Sequence, residues 1–286
     1  MDDVIEVSSY VAALEHGLKR VKEGFPLSLR LIREMHEILL SKGRGSNKQP
    51  GEFRTSQNWI GGSRPGNAVF VPPPSERLME CLDSFEKYLH LEEKNYASLI
   101  DAGLIHVQFE TIHPFLDGNG RIGRLLITFF LIMMGDLREP NLYLSLFFKN
   151  NRNAYYEKLG AVRTAGDWEG WLEFFLTGVI EIANQVVETS QSISGLFKRN
   201  SQKIDGLKRA RLSAHKAHEF LQQKAIINVI NTAEALDVSI PTARSALNNL
   251  KSLGVVKDIS GSGKERLYIY EELIDLLEEG TKPIVY

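Results

Sequence analysis

One stretch of twelve residues concentrates the chemistry of this 286-residue chain: His113-Pro114-Phe115-Leu116-Asp117-Gly118-Asn119-Gly120-Arg121-Ile122-Gly123-Arg124. His113 is the group here able to take a proton near neutral pH. Gly118-Asn119-Gly120 joins two residues without a Cβ to one that tolerates positive φ. Such a turn can aim successive N–H groups at one point and form an anion nest. The run Arg121 to Met134 is apolar and predicts a helix. The nest then sits at a helix N-terminus, where partial positive charge and unpaired donors suit phosphate. Arg121 and Arg124 stand three apart and face one anion together. Asp117 beside a phosphate is a natural Mg²⁺ ligand, because Mg²⁺ takes carboxylate and phosphate oxygens together. Singly, these are a turn histidine, an Asp-Gly turn and a solvated helix face. Jointly, they describe a nucleotide-handling site.

The elements that must position this stretch follow from periodicity. Val4 to Glu23 and Leu29 to Lys42 carry helical apolar stripes, with Gly24 between them and Ser28 as an N-cap. Glu76 to Leu91 repeats that pattern, and the apolar run Ala97 to Ile112 delivers His113. His106 lies seven residues before His113 on the same helical face, but no H-E-x-x-H or Cys/His cluster accompanies it, so it reads as a core histidine. Residues 51–74 differ: Gly, Pro and Asn surround two short β-type pieces, Asn58-Trp59-Ile60 and Val69-Phe70-Val71, which predicts a β-hairpin with a loose tip. Asn150 to Asn153 opens a helix through Arg163, and Asp167 to Phe175 opens the last helix of this domain.

The twelve-residue stretch resembles the Fic family signature, H-x-F-x-[D/E]-G-N-G-R-x-x-R, at every specified position. Gly-x-Phe-Arg at 51–54, Ile-Gly-Gly at 60–62 and Val-Pro-Pro-Pro at 71–74 extend the resemblance upstream. It implies a mainly α, Fic-fold helical bundle with a β-hairpin flap, and transfer of AMP from ATP to a hydroxyl side chain of a target protein. By this resemblance His113 deprotonates the hydroxyl, and Asp117 holds Mg²⁺. Gly118, Asn119 and Gly120 cradle the phosphates, and Arg121 and Arg124 orient the β/γ side. Phe115 anchors the loop in the core. Ile60, Gly61, Gly62 and Ser63 lie over the ATP, on a flap whose edge pairs with an extended stretch of the target. Tyr156, Tyr155 and Asn151 are candidates for the adenine, in that order, since tyrosine offers a flat apolar face and a polar tip.

Many such proteins carry an inhibitory S/T-x-x-x-E-G/N helix whose glutamate blocks the second arginine. Only Thr177 to Glu181 fits S/T-x-x-x-E, and Ile182 follows it. The expectation is a shortened form, or inhibition by a partner or another copy, with Arg124 unblocked and basal activity measurable.

Bulk properties bound the rest. A formal charge of −2 provides no global basic field for nucleic acid or anionic membrane. The lone cysteine, Cys81, excludes a disulfide framework within one chain. The N-terminus lacks signal-peptide character, and the longest apolar run, Leu125 to Gly135, is too short to span a membrane. The cytoplasm is the expected location.

Composition turns polar and serine-rich near Thr189 to Asn200. The expected division is therefore a Fic domain over 1–190, a linker and connecting helix over 191–224, and a second domain over 225–286. In that domain Thr232 is expected to cap a short helix and Ser239 a second one with Pro241 in its first turn. Val255 to Ile259 and Leu267 to Tyr270 then flank Ser260-Gly261-Ser262-Gly263 as a hairpin. Together these look like a small winged helix-turn-helix domain. From Thr232 to Tyr270 five basic residues face four acidic ones, a thin footprint for DNA. A docking or dimer role fits the same pattern, and self-modification and homodimers are common in the family. Three readings stand: AMP transfer; removal of AMP or transfer of UMP, phosphocholine or phosphate at the same site; and a nucleotide-sensing DNA-binding regulator. The Gly118-to-Arg121 loop argues against phosphate transfer.

Overall fold

A computed structural model describes residues 2–92, 95–260 and 266–279. The chain divides into two compact units, 1–183 and 184–286.

The first unit is helical: α1 (Asp2–Lys22), α2 (Leu29–Leu39), α3 (Leu78–Leu89), α4 (Ser98–Ile112), α5 (Asn119–Met133), α6 (Leu144–Asn150), α7 (Arg152–Ala165) and the start of α8 (Trp168–Asp205). Its centre is the pair α4 and α5. Both are apolar on nearly every side, which is the pattern of a helix buried all round. Ile105, Val107, Phe109, Ile122, Leu125, Leu126 and Phe129 are all buried. Gly123 permits the close approach, because a Cβ there would lie 2.8 Å from Glu110 Oε1 and 3.3 Å from Phe109. Ser28 caps α2 by accepting the Leu31 N–H.

The hairpin expected over 51–74 is reduced to a single antiparallel bridge, Ile60 to Phe70. Its tip is a 3₁₀ turn, Pro65–Asn67, where the Asn67 side chain accepts the N–H groups of Ser63 and Arg64. Three successive prolines, Pro72 to Pro74, lack the donors that would extend the ladder.

The second unit holds the end of α8, then α9 (Arg211–Gln223), β1 (Ile226–Asn228), α10 (Val229–Leu236), α11 (Ile240–Ser252), β2 (Lys257–Asp258), β3 (Leu267–Ile269) and α12 (Glu271–Glu278). The sheet has strand order β1-β3-β2, antiparallel throughout, with Ile227 opposite Tyr268 and Lys257 opposite Ile269. Its core gathers Leu196, Ile204, Ala217, Leu221, Ala246, Leu247, Leu250, Val256 and Tyr268.

Three expectations are corrected here. The polar stretch 189–200 is not a linker but part of α8, which runs 38 residues. Ile193, Leu196, Phe197 and Ile204 recur at helical spacing and seat that face in the second core. Buried Asn200 adds a hydrogen bond from Nδ2 to Tyr270 Oη at 2.8 Å. The connecting helix expected within 191–224 runs only from Arg211 to Gln223. Asn228, not Thr232, caps α10 by accepting the Asn231 N–H; Thr232 lies inside the helix, buried, and donates to Asn228 O. Ser239 does cap α11 by accepting the Thr242 N–H. The expected hairpin tip Gly261-Ser262-Gly263, with Lys264 and Glu265, lies outside the described residues.

Candidate functional site

Helix α4 ends because Pro114 follows His113. A residue before proline is pushed out of the right-handed helical region, and His113 adopts φ 48°, ψ 62°. That left-handed conformation costs on the order of 1 kcal/mol or more for a residue with a Cβ. Arg54 holds it in place. Fully buried, its side chain donates to His113 O at 2.9 Å, Ile112 O at 3.5 Å, Ser56 O at 3.1 Å and Pro73 O at 2.5 Å. Its backbone N–H donates to Pro114 O at 2.9 Å. Burial lowers the His113 imidazole to about 4, and the charges of Arg163 and Arg54 push the same way. The ring is therefore neutral at physiological pH. Its Nδ1 is buried, 3.8 Å from Glu110 Oε2, so Nε2 is the nitrogen the cleft reaches.

The loop after His113 is braced from beneath. Phe115 is fully buried and stacks on His36 with ring centroids 3.6 Å apart and planes at 6°. Asn119 is also buried. Its Oδ1 accepts the Phe115 N–H and its Nδ2 donates to Phe115 O, each at 2.8 Å. The Asn119 side chain thus ties the loop to itself and does not reach toward a phosphate; what it leaves for a ligand is its backbone at the start of α5. Gly118 has φ 81°, and a Cβ there would sit 3.2 Å from His36 Nε2. His36 Nδ1 accepts the Gly51 N–H at 2.9 Å, which makes Nε2–H the donor to Asp117 O at 3.0 Å. One neutral imidazole, lowered to about 4 chiefly by burial, joins the loop to the root of the flap segment.

These pieces enclose a cleft of about 560 Å³, within the range of small-ligand sites. His113, Asp117, Gly118, Asn119, Gly120, Arg121, Arg124, Ile60, Gly61 and Tyr156 line it. Gly62, Ser63 and Asn151 are not among the lining residues; Asn151 stands just before α7 without a side-chain capping bond and donates from Nδ2 to Phe147 O. Tyr155 is corrected outright. It turns into the core, and its Oη meets His106 Nε2 at 2.9 Å, so it has no face for a nucleobase. Tyr156, half exposed, is the tyrosine at the cleft.

Electrostatically the cleft is prepared for an anion. Arg121 Nη1 and Arg124 Nε are buried with no hydrogen-bond partner among the described residues. Arg121 has only long contacts to carboxylates, 3.8 Å to Glu6 and 3.7 Å to Asp117. Buried donors without partners are costly and call for an acceptor. Asp117 Oδ1 accepts the Gly118 N–H at 2.6 Å, and Arg44 approaches Oδ2 at 4.0 Å. Asn58 and Trp59 of the flap segment also line the cleft, as do Glu6 and Arg44, which the sequence does not single out, nor does it single out His36 and Glu110. Nothing local marks them. Only packing brings α1 and the loop after α2 to the motif.

Residues 26–131 match the Fic/DOC family. That span contains the flap segment, His113 and both arginines. Among curated relatives, the protein adenylyltransferase Fic of Drosophila yakuba is 29% identical over 218 residues, covering 71% of this chain and 40% of its own length. That of Drosophila mojavensis is 32% identical over 175 residues, covering 61% and 32%. The chain thus spans 40% or less of these relatives. Among solved structures, a Fic family protein from Desulfovibrio desulfuricans superposes with a TM-score of 0.55 at 22% identity, over 92% of this chain and 74% of the other. A C. elegans Fic-1 fragment gives 0.50 at 23%, over 66% and 53%. These likenesses establish the fold.

The buried histidines make a pH prediction. His36, His106, His113 and His218 are each lowered to about 4, chiefly by burial. Unfolded imidazoles titrate near 6.5, so between those values the unfolded chain binds the extra protons. Stability is then fully present above about pH 6.5 and falls as pH drops toward 4. The shifts of His36, His106 and His113 are each worth on the order of 3 kcal/mol. Buried Glu110, raised by desolvation, acts the other way but is outnumbered. Calorimetric Tm should decline steadily from pH 6.5 downward; a flat profile to pH 4.5 would contradict these burials.

Proposed function

We propose that this chain transfers AMP from ATP to a serine, threonine or tyrosine hydroxyl of a protein, itself included. The observation that carries the reading is the cleft in which a neutral His113, the α5 N-terminus and two unpartnered arginine donors converge. The names of the relatives support it. The hydroxyl oxygen forms a bond to the α-phosphorus, its proton passes to His113 Nε2, and the bond to the β-phosphate oxygen breaks. Pyrophosphate leaves. Arg121, Arg124 and the first α5 amides hold the triphosphate in line, so positioning and charge stabilisation supply most of the acceleration.

Mg²⁺ fits the residues present. Among the described residues there is no cluster of three or more His, Cys, Asp or Glu able to cage a metal. Mg²⁺ needs no such cage: one or two carboxylates plus substrate phosphates suffice. Asp117 offers a partly exposed carboxylate with only long ionic contacts. When bound, the ion would neutralise charge developing on the phosphates.

Tyr156 is the proposed neighbour of the base, with Ile60 and Gly61 of the flap segment across the cleft. A direct test is pyrophosphate release in step with AMP incorporation into protein, whether the chain itself or an added acceptor. Orthophosphate release in its place would contradict AMP transfer.

The second unit reads as a winged helix-turn-helix module, on the sequence of α10, α11 and a three-stranded antiparallel sheet. Its α11 exposes Thr242, Arg244, Ser245 and Asn248. Two of the nearby cations are already paired, Lys251 with Asp258 and Lys257 with Glu271. That pairing thins the phosphate footprint further and favours protein docking over DNA. In a mobility-shift assay at 150 mM salt, no retarded duplex is expected. A sequence-selective shift would overturn the docking reading.

A further inference from the structure

Arg163 of α7 is not among the cleft-lining residues and takes no part in the chemistry above. Its side chain nevertheless joins two elements that do. Nε donates to Thr111 Oγ1 and Nη2 donates to Glu110 O, each at 3.1 Å. Both partners lie in the last turn of α4, immediately before His113. The guanidinium also lies over the Phe70 ring, with its central carbon 3.9 Å from the centroid. Phe70 belongs to the returning limb of the flap segment. It exchanges backbone hydrogen bonds with Ile60, at 2.8 and 3.2 Å, and Ile60 lines the cleft. One rigid, planar group therefore uses its edge on the histidine's helix and its face on the flap.

Arg54 makes the matching grip at the root. It sits on the entering limb, holds Pro73 on the returning limb, and bonds the carbonyls of Ile112 and His113. Cations favour helix C-termini, so capping alone accounts for the carbonyl contacts. Capping does not account for a ring stacked on the guanidinium's other surface.

We propose that Arg163 is a positioning residue that couples the flap to His113, so that the flap cannot shift over the nucleotide without moving the end of α4. The proposal rests on the roles given above to His113 and the flap. The flap would then report correct seating of the acceptor to the base, and misplacement of about 1 Å at such a group can cost up to 10²-fold in rate.

Arg54 is too deeply bonded to probe without unfolding the chain; Arg163 and Phe70 are better handles. Arg163→Met keeps the aliphatic stem and removes the fork. Phe70→Ala removes the ring from a half-buried site. With ATP labelled at the α-phosphate and a cell lysate as acceptor, each should lower kcat about tenfold, with KM for ATP within about twofold. Their effects should be non-additive, the double variant falling little below either single. Arg163→Lys should regain little, because it restores charge over the ring but not the fork. Hydrogen exchange needs no turnover: the amides of Ile60 and Phe70 should exchange faster in Arg163→Met. Unchanged flap exchange in a folded Arg163→Met would overturn the coupling, whether or not the parent chain transfers AMP. Rates that multiply in the double variant would also overturn it. Absence of transfer by the parent, with faster flap exchange in the variant, would instead overturn the proposed function and leave the coupling standing.

Discussion

His113→Ala is expected to lower AMP transfer by about 10²–10⁴-fold, the usual cost of losing a general base. Nucleotide affinity should stay within about twofold. The two effects separate because different parts of the cleft carry them. In the proposed function the triphosphate is held by Arg121, Arg124 and the start of α5, none of which leans on the imidazole. The backbone at position 113 is held through its carbonyl by Arg54 and not through the side chain. Alanine tolerates a left-handed φ less well than histidine, but Arg54 grips the His113 and Ile112 carbonyls, so the loop should keep its course. Transfer rates beside ATP titration calorimetry measure both quantities. Wild-type rates in the variant would remove His113 from the chemistry; loss of ATP binding would make it a structural residue.

Asn119→Ala should produce the opposite profile, a loss of stability and of nucleotide affinity together. Both polar ends of this side chain are spent on Phe115, in a site with almost no solvent access. Alanine leaves the buried Phe115 N–H unpaired, at about 1–3 kcal/mol, and leaves Phe115 O with only the bond from Asn58 Nδ2 at 3.2 Å. For a unit of this size that corresponds to a drop of several degrees in Tm, at roughly 2–4 °C per kcal/mol. The loop it braces also sets Gly118 and Gly120, so ATP affinity should fall about tenfold. A side chain that touched phosphate directly would lose affinity at constant Tm. Thermal denaturation and ATP titration of the same variant distinguish the two roles.

The contrast between these residues shows what could be read along the chain. The candidate stretch is legible because its residues are local: imidazole, carboxylate, turn and arginines lie within twelve residues, and turn and helix signals fix their relative order. The roles within it were less so. Asn119 stands in a glycine turn and looks free, yet its bonds to Phe115, four residues earlier, consume it. Tyr155 and Tyr156 differ by one position, which on a helix turns the side chain by about 100°. Tyr155, Leu159 and Val162 recur at helical spacing and are all buried, so the stripe itself marks Tyr155 as the inward one. The same kind of stripe, Ile193 to Ile204, carries α8 through a stretch whose polar composition suggested a linker. Glu6, Arg44, His36 and Arg163 had no local signal. They arrive from α1, from the loop after α2, from α2 and from α7, and only packing brings them to the loop and flap.

The most direct test compares ATP labelled at the α-phosphate with ATP labelled at the γ-phosphate, each with Mg²⁺ and a cell lysate, for the parent chain and His113→Ala. The account predicts a protein band labelled from the α-position only, and its disappearance in the variant. Label entering from the γ-position, or an α-labelled band that persists without His113, would contradict it.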